Sequence, residues 1–191
     1  MSYPLLDNVS ATLMVANGWD NATDNNKSKT LGGQVAVSAL RRTNLIVNYM
    51  FGPEKPNNNS DNRSLLDIVA SDTISDMLTL GANADLGSEE HSAFTGGTAA
   101  WRGLAGYLRL NCSNMFAFSM RGEVFADVDG IRTGMIQNLR ELTFTPEYRP
   151  VEHIILRADL RYDISDQNVF QKNAGSSGTQ TTLGINAMYA F

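Results

Sequence analysis

Six charged residues recur at two-residue spacing in two segments: Arg121 and Glu123 in one, Arg157, Asp159, Arg161 and Asp163 in the other. Successive side chains of an extended strand point to opposite faces, so residues at this spacing share a face. Guanidiniums and carboxylates alternating along one face can pair with a neighbouring strand and brace a wall. They can equally line a wet passage and create a field that orders polar solutes. Asp67 and Glu141 are weaker members of the same set. Exposed ion pairs contribute little net stability, so both roles stay open at this point.

Residue types that carry catalysis or hold metals are sparse. The two histidines, His91 and His153, fall in a presumptive long loop and near a presumptive short turn, which places them at opposite rims. A shared metal or a catalytic dyad is therefore not expected. No Ser-His-acid set converges, so neither an enzyme nor a cofactor is expected. Asp127-Val-Asp129-Gly130 and Asp20 with Asp24-Asn-Asn supply oxygen ligands that could take Ca²⁺. Neither has the spacing of a calcium-binding EF-hand loop, and turn chemistry accounts for the same residue types. The single cysteine, Cys112, excludes an internal disulfide framework. A net charge of -5 without a basic stripe argues against nucleic acid or anionic lipid as a partner.

Positioning these residues requires strands. Alternating, β-branched and aromatic segments give ten of them, at 9–18, 30–39, 43–51, 64–73, 76–86, 97–110, 114–127, 134–146, 151–163 and 178–191, with no convincing helix. Their connections alternate between long and short, with a tight turn expected across Pro146 to Pro150. That is the pattern of an up-and-down meander with two unlike rims. The last strand sets Leu183, Ile185, Ala187, Tyr189 and Phe191 against Gln180, Thr182, Gly184, Asn186 and Met188. A terminal Tyr-x-Phe on an apolar face is how the closing strand of an outer-membrane barrel ends.

Across 191 residues the mean hydropathy is -0.21, and no run is long and apolar enough for a membrane helix. Barrel strands need only about 9–11 residues with half of them facing a polar lumen, so low hydropathy does not argue against them. Periodicity alone does not separate a membrane barrel from a soluble barrel or sandwich, because each is the other turned inside out. Modest apolar faces, aromatics near strand ends (Trp19, Tyr49, Phe51, Trp101, Tyr107, Tyr162, Tyr189, Phe191) and the Arg/Asp alternation favour the membrane form. Arg140 shares a phase with Leu142 and Phe144, so it must snorkel or sit at a bulge.

The ordered motifs carry a family likeness. They are Asn17-Gly-Trp-Asp-Asn, Lys29-Thr-Leu-Gly-Gly, Tyr49-Met-Phe-Gly-Pro-Glu, Trp101-Arg-Gly-Leu-Ala-Gly-Tyr-Leu-Arg, Arg121-Gly-Glu-Val-Phe-Ala-Asp-Val-Asp-Gly, Glu141-Leu-Thr-Phe-Thr-Pro-Glu-Tyr and Arg157-Ala-Asp-Leu-Arg-Tyr-Asp-Ile-Ser-Asp. Together the chain resembles the OmpL-like β-barrel porins of Gram-negative bacteria. The resemblance implies an outer-membrane channel. Members of that family are typically longer and carry a signal peptide, and residues 1–25 hold no such signal. The expectation is thus a single all-β, antiparallel transmembrane barrel domain over 1–191, the C-terminal portion of a larger barrel.

The function expected is passive diffusion of small polar solutes or ions through a lumen lined by Arg121, Glu123, Arg157, Asp159, Arg161, Asp163, Asp67 and Glu141. Expected partners are outer-membrane lipid, the barrel-assembly machinery reading Tyr189 and Phe191 on the last strand, and further copies of the chain in a homo-oligomer. Two rivals stay open: a non-conducting barrel whose Asn/Asp-rich loops bind a surface partner, and a soluble ligand-binding β-barrel.

Overall fold

The computed structural model describes residues 2–21, 23–39, 42–173 and 175–190, except the side chain of Ala39. Among them are thirteen β-strands and no helix. Ten match the sequence expectation: β2 (Val9–Ala16), β3 (Thr30–Ala39), β4 (Thr43–Pro53), β5 (Asn62–Thr73), β6 (Leu78–Glu89), β7 (Ala99–Asn111), β8 (Phe116–Asp127), β9 (Gln137–Val151), β10 (Ile154–Ser165) and β13 (Thr179–Tyr189). Three were not expected: β1 (Ser2–Leu6), which pairs with β2, and the short β11 (Phe170–Lys172) and β12 (Gly175–Ser177), a hairpin inside the last long loop.

Strands β1 to β10 and then β13 follow one another in a single antiparallel sheet, each beside its neighbour in sequence. β1 and β13 stand at the two ends of that order. The strand-to-strand gaps alternate. Those at 7–8, 40–42, 74–77, 112–115 and 152–153 are two to four residues long, and those at 17–29, 54–61, 90–98, 128–136 and 166–178 are eight to thirteen. In an antiparallel meander alternate connections lie at opposite ends of the strands, so long loops gather at one end and short turns at the other.

The expected turn from Pro146 to Pro150 is a correction. β9 runs through both prolines, and the reversal is Glu152-His153. Proline has no N–H for the ladder. The strand accommodates this with an irregular register: Arg157 faces Glu147 and Leu160 faces Phe144, the ladder is broken between them where Pro146 lies, and a shift between Ile154 and Leu156 absorbs Pro150.

The described residues group into two compact units. One comprises Met1–Ala70, Asn83–Gly103 and Ala126–Ile136, the other Ser71–Ala82, Leu104–Phe125 and Gln137–Phe191. Burial in both is the reverse of that in a soluble domain. Among the described residues the buried hydrophobic side chains are Ala99, Trp101, Ala105 and Ala117, besides Pro53, whereas Thr30, Glu54, Glu89, Asp127, Gln137, Glu141, Glu147 and Ser165 are buried polar groups. Large apolar side chains instead face outward, among them Leu13, Val15, Leu142, Leu160, Leu183 and Ile185, which is 80% exposed. This pattern supports the membrane form over its inside-out rival, because a water-soluble barrel would bury that row.

Candidate functional site

In the second unit, β8, β9, β10 and β13 present one polar face. Alternation puts Arg121 and Glu123 of β8, the odd residues of β9, and Arg157, Asp159, Arg161 and Asp163 of β10 in the same phase, since every even neighbour on β9 from Asn138 to Tyr148 is exposed. The β10–β13 ladder continues the face, with Arg157 opposite Asn186, Asp159 opposite Gly184, Arg161 opposite Thr182 and Asp163 opposite Gln180. All seven expected residues of this unit, Glu141 included, are therefore brought onto one wall. Glu123, Glu141, Arg161, Asp163, Gln180 and Thr182 border a concavity of about 430 Å³.

The charges on that wall are paired. Arg121 bonds both Glu123 and the buried Glu141. Arg161 grips Asp163 through Nε and Nη2, the latter at 2.7 Å. Asp159 accepts the Thr145 hydroxyl and the Asn186 amide. Arg157 donates from Nε to Glu147 Oε2 at 2.6 Å. Glu147 is the residue that sequence reasoning missed. It is buried and also takes Arg109 Nη2 at 2.8 Å and Arg149 Nη2 at 2.7 Å, both on Oε1. Reading a turn across Pro146 and Pro150 hid it. The signal was present as an unbroken polar phase, Glu141, Thr143, Thr145, Glu147 and Arg149.

Asp67, the remaining expected wall residue, belongs to the first unit and lies in a chain of amides. Gln34 donates to Asn48 at 2.8 Å, Asn48 to Asp67 at 2.6 Å, and Asn83 to the other Asp67 oxygen. At the long-loop end of this unit the loops are knitted together. Arg63 on β5 pairs with Glu89 at 2.8 Å and with Asp20 at 3.3 Å, and Asp20 also takes Arg132 at 2.6 Å. The buried Glu54 accepts Thr30 Oγ1, the Trp19 backbone N–H at 3.2 Å and the Asn21 amide at 3.3 Å.

Trp19, Trp101 and Tyr107 depart from the girdle expected of them. Trp101 is 5% exposed, and each of the three rings has a guanidinium over it: Arg63 over Trp19 at 5.7 Å, Arg132 over Trp101 at 5.1 Å, Arg121 over Tyr107 at 5.9 Å. An aromatic face attracts a cation, so these rings belong with the charged face. Tyr49, Phe51, Tyr162 and Tyr189 are exposed as expected. Tyr189 pairs with Ile154 at the short-turn end of β13, and Phe191 lies outside the described residues. Arg140 is exposed and keeps its phase with Leu142 and Phe144. It sits near the start of β9, close enough for its charge to act on Asp166 in the long loop.

Loop carboxylates follow turn chemistry. Asp127 Oδ2 collects the N–H groups of Arg132 and Thr133 and the Thr133 hydroxyl, Asp129 accepts the Ala100 N–H, and Gly130 supplies a positive φ of 75°. His91 is in the 90–98 loop, where Nδ1 meets Asp61 at 3.0 Å, and His153 is in the 152–153 turn, where it meets the Ala190 carbonyl. The hydrogen bond from Lys55 Nζ at 2.9 Å, aided by His91, holds the Asp61 carboxyl below its ordinary value. The Asn138 side-chain amide and backbone N–H do the same for Asp166.

Comparison with known proteins agrees with this geometry. Residues 1–191 match the family described as "Putative beta-barrel porin-2, OmpL-like". No curated protein matches the chain. Among solved structures, one described as an anion-selective porin from Comamonas acidovorans is similar with a TM-score of 0.76 at 12% identity, covering 100% of this chain and 58% of that one. At that identity the likeness is one of fold, and the chain spans a little over half the length of the porin it resembles. The chain belongs to the OmpL-like β-barrel porin family.

Proposed function

We propose that this chain is part of a Gram-negative outer-membrane porin that passes small polar solutes or ions passively, along a lumen lined by the charged face described above. The observation that carries the reading is the inverted burial: Glu141, Glu147 and Asp127 are enclosed while Leu160, Leu183 and Ile185 are exposed. An exposed apolar row suits outer-membrane lipid, and an ion-paired face suits water. The wall residues Arg121, Glu123, Glu141, Arg157, Asp159, Arg161, Asp163 and Asp67 set selectivity in this reading. Residues 1–191 form one barrel domain, continued by further strands in the full-length protein. Tyr189 on the last strand, with Phe191 two residues on, engages the assembly machinery. Liposome swelling with the full-length protein tests it. Uptake of a small sugar with exclusion of a large one is expected, and liposomes that hold folded protein but admit neither would overturn it.

A further inference from the structure

The charges of the second unit's wall are not evenly matched along the strands. Toward the long-loop end Arg121 is shared by two carboxylates, Glu123 and Glu141, and Arg161 is matched by Asp163. Toward the short-turn end three guanidiniums, Arg109 of β7, Arg149 of β9 and Arg157 of β10, converge on Glu147 alone. Glu147 lies six residues along β9 from Glu141, about 20 Å at the rise of an extended strand. The cluster therefore carries two positive charges in excess.

Its donors are also in excess. The three arginines bring fifteen N–H groups. Glu147, whose side chain is 1% exposed, accepts one N–H from Arg109 and one from Arg157 and lies 2.7 Å from Arg149 Nη2, and Arg109 reaches Ser119 Oγ with another N–H at 3.4 Å. The arginine side chains remain 31%, 41% and 34% exposed, and Arg149 Nε is buried without any partner. Glu147 acts as a buried pin. It holds three planar forks in place without neutralising them, and such forks suit oxyanions better than spherical ions.

We propose that Arg109, Arg149 and Arg157, organised by Glu147, form a binding station for the phosphate or carboxylate group of small solutes on the lumen wall. The station rests on the reading of this face as a wet lumen, and it makes anionic solutes the favoured cargo.

Equilibrium titration of inorganic phosphate into the detergent-folded full-length protein at low salt reads the station without requiring conduction. Saturable binding is expected in the wild type. Arg149→Gln removes the least committed guanidinium and is expected to weaken binding about fivefold or more; Glu147→Gln keeps a carbonyl acceptor that pins the forks while removing the competing charge, and is expected to tighten binding by a similar factor. Retention of the heat-modifiable band on SDS-PAGE qualifies each variant as folded, and either one suffices. Absence of saturable binding, binding indifferent to the folded variants, or displacement by chloride at equal concentration would overturn the station. None of these results bears on whether the channel conducts.

Discussion

Asp20 Oδ2 meets Arg132 Nη2 at 2.6 Å, which joins the loop after β2 to the loop after β8. Arg63 holds the same oxygen from β5 at 3.3 Å. Trp19 follows Arg63 and Trp101 lies under Arg132, so one carboxylate organises two cation–aromatic stacks in the first unit. Long loops fixed to each other in this way behave as part of the wall.

Asp20→Asn is expected to loosen the 17–29 loop while barely changing global stability. Pairs this exposed are worth under about 1 kcal/mol each, so trypsin cleavage at Lys27 and Lys29 should rise about two- to fivefold. Limited proteolysis of the folded protein reads this directly. Unchanged cleavage would mean that other bonds, such as Lys27 N–H to Asn59 Oδ1 at 2.7 Å, hold the loop by themselves.

Gly87 permits the burial of Trp101. A Cβ built on Gly87 would lie 2.0 Å from Trp101 Cε2, and the same indole has the Arg132 guanidinium over it at 5.1 Å. Gly87→Ala should therefore cost roughly 1–3 kcal/mol through overpacking. Urea titration in detergent checks it, and an unshifted midpoint would show that the indole moves aside freely.

The two faces of the sheet should respond oppositely to a new charge. Leu160, at mid-strand on β10, is 51% exposed on the apolar face. Leu160→Arg should destabilise the bilayer-folded protein by roughly 2–4 kcal/mol, whereas a lumen-face arginine should be tolerated. Gln180→Arg provides the contrast, since Gln180 pairs with Asp163 across β10–β13. Unfolding from lipid vesicles would give the comparison. Equal costs would remove the basis of the facing assignment, and reversed costs would invert it.

Asp61 predicts an acid response in the loops. Lys55 Nζ bridges Asp61 to the backbone carbonyls of Glu90 and His91, tying the 54–61 loop to the 90–98 loop. The folded carboxyl titrates below its ordinary value of 3.8, chiefly through the Lys55 hydrogen bond. The strap is thus fully formed above that value and is lost as pH falls through the lower folded one. Hydrogen exchange in both loops, corrected for intrinsic rates, should rise as pH falls below 3.8. In Asp61→Asn it should already be raised at pH 5. A pH-independent wild type would remove Asp61 from this role.

Much of the fold was legible because the period of two is strong wherever one face meets lipid and the other water. All ten expected strands exist, and the polar phases of β8 and β10 put Arg121, Glu123, Arg157, Asp159, Arg161 and Asp163 on one face. β1 was passed over because Ser2–Leu6 is too short to show a period. Glu147 was lost to a local rule: Pro146 and Pro150 mark turns in most contexts, and only the long-range pairing of β9 with β10 carries the chain through them. The inward Trp19 and Trp101 could not be read locally either, because what draws them in are Arg63 and Arg132, distant in sequence.

Single-channel recording of the full-length protein in a planar bilayer asks whether the charged face lines a passage through a membrane. Stepwise, ohmic conductance in potassium chloride is the predicted result. Insertion of folded, heat-modifiable protein that leaves the bilayer insulating would contradict it and leave a barrel whose loops, not its lumen, do the work.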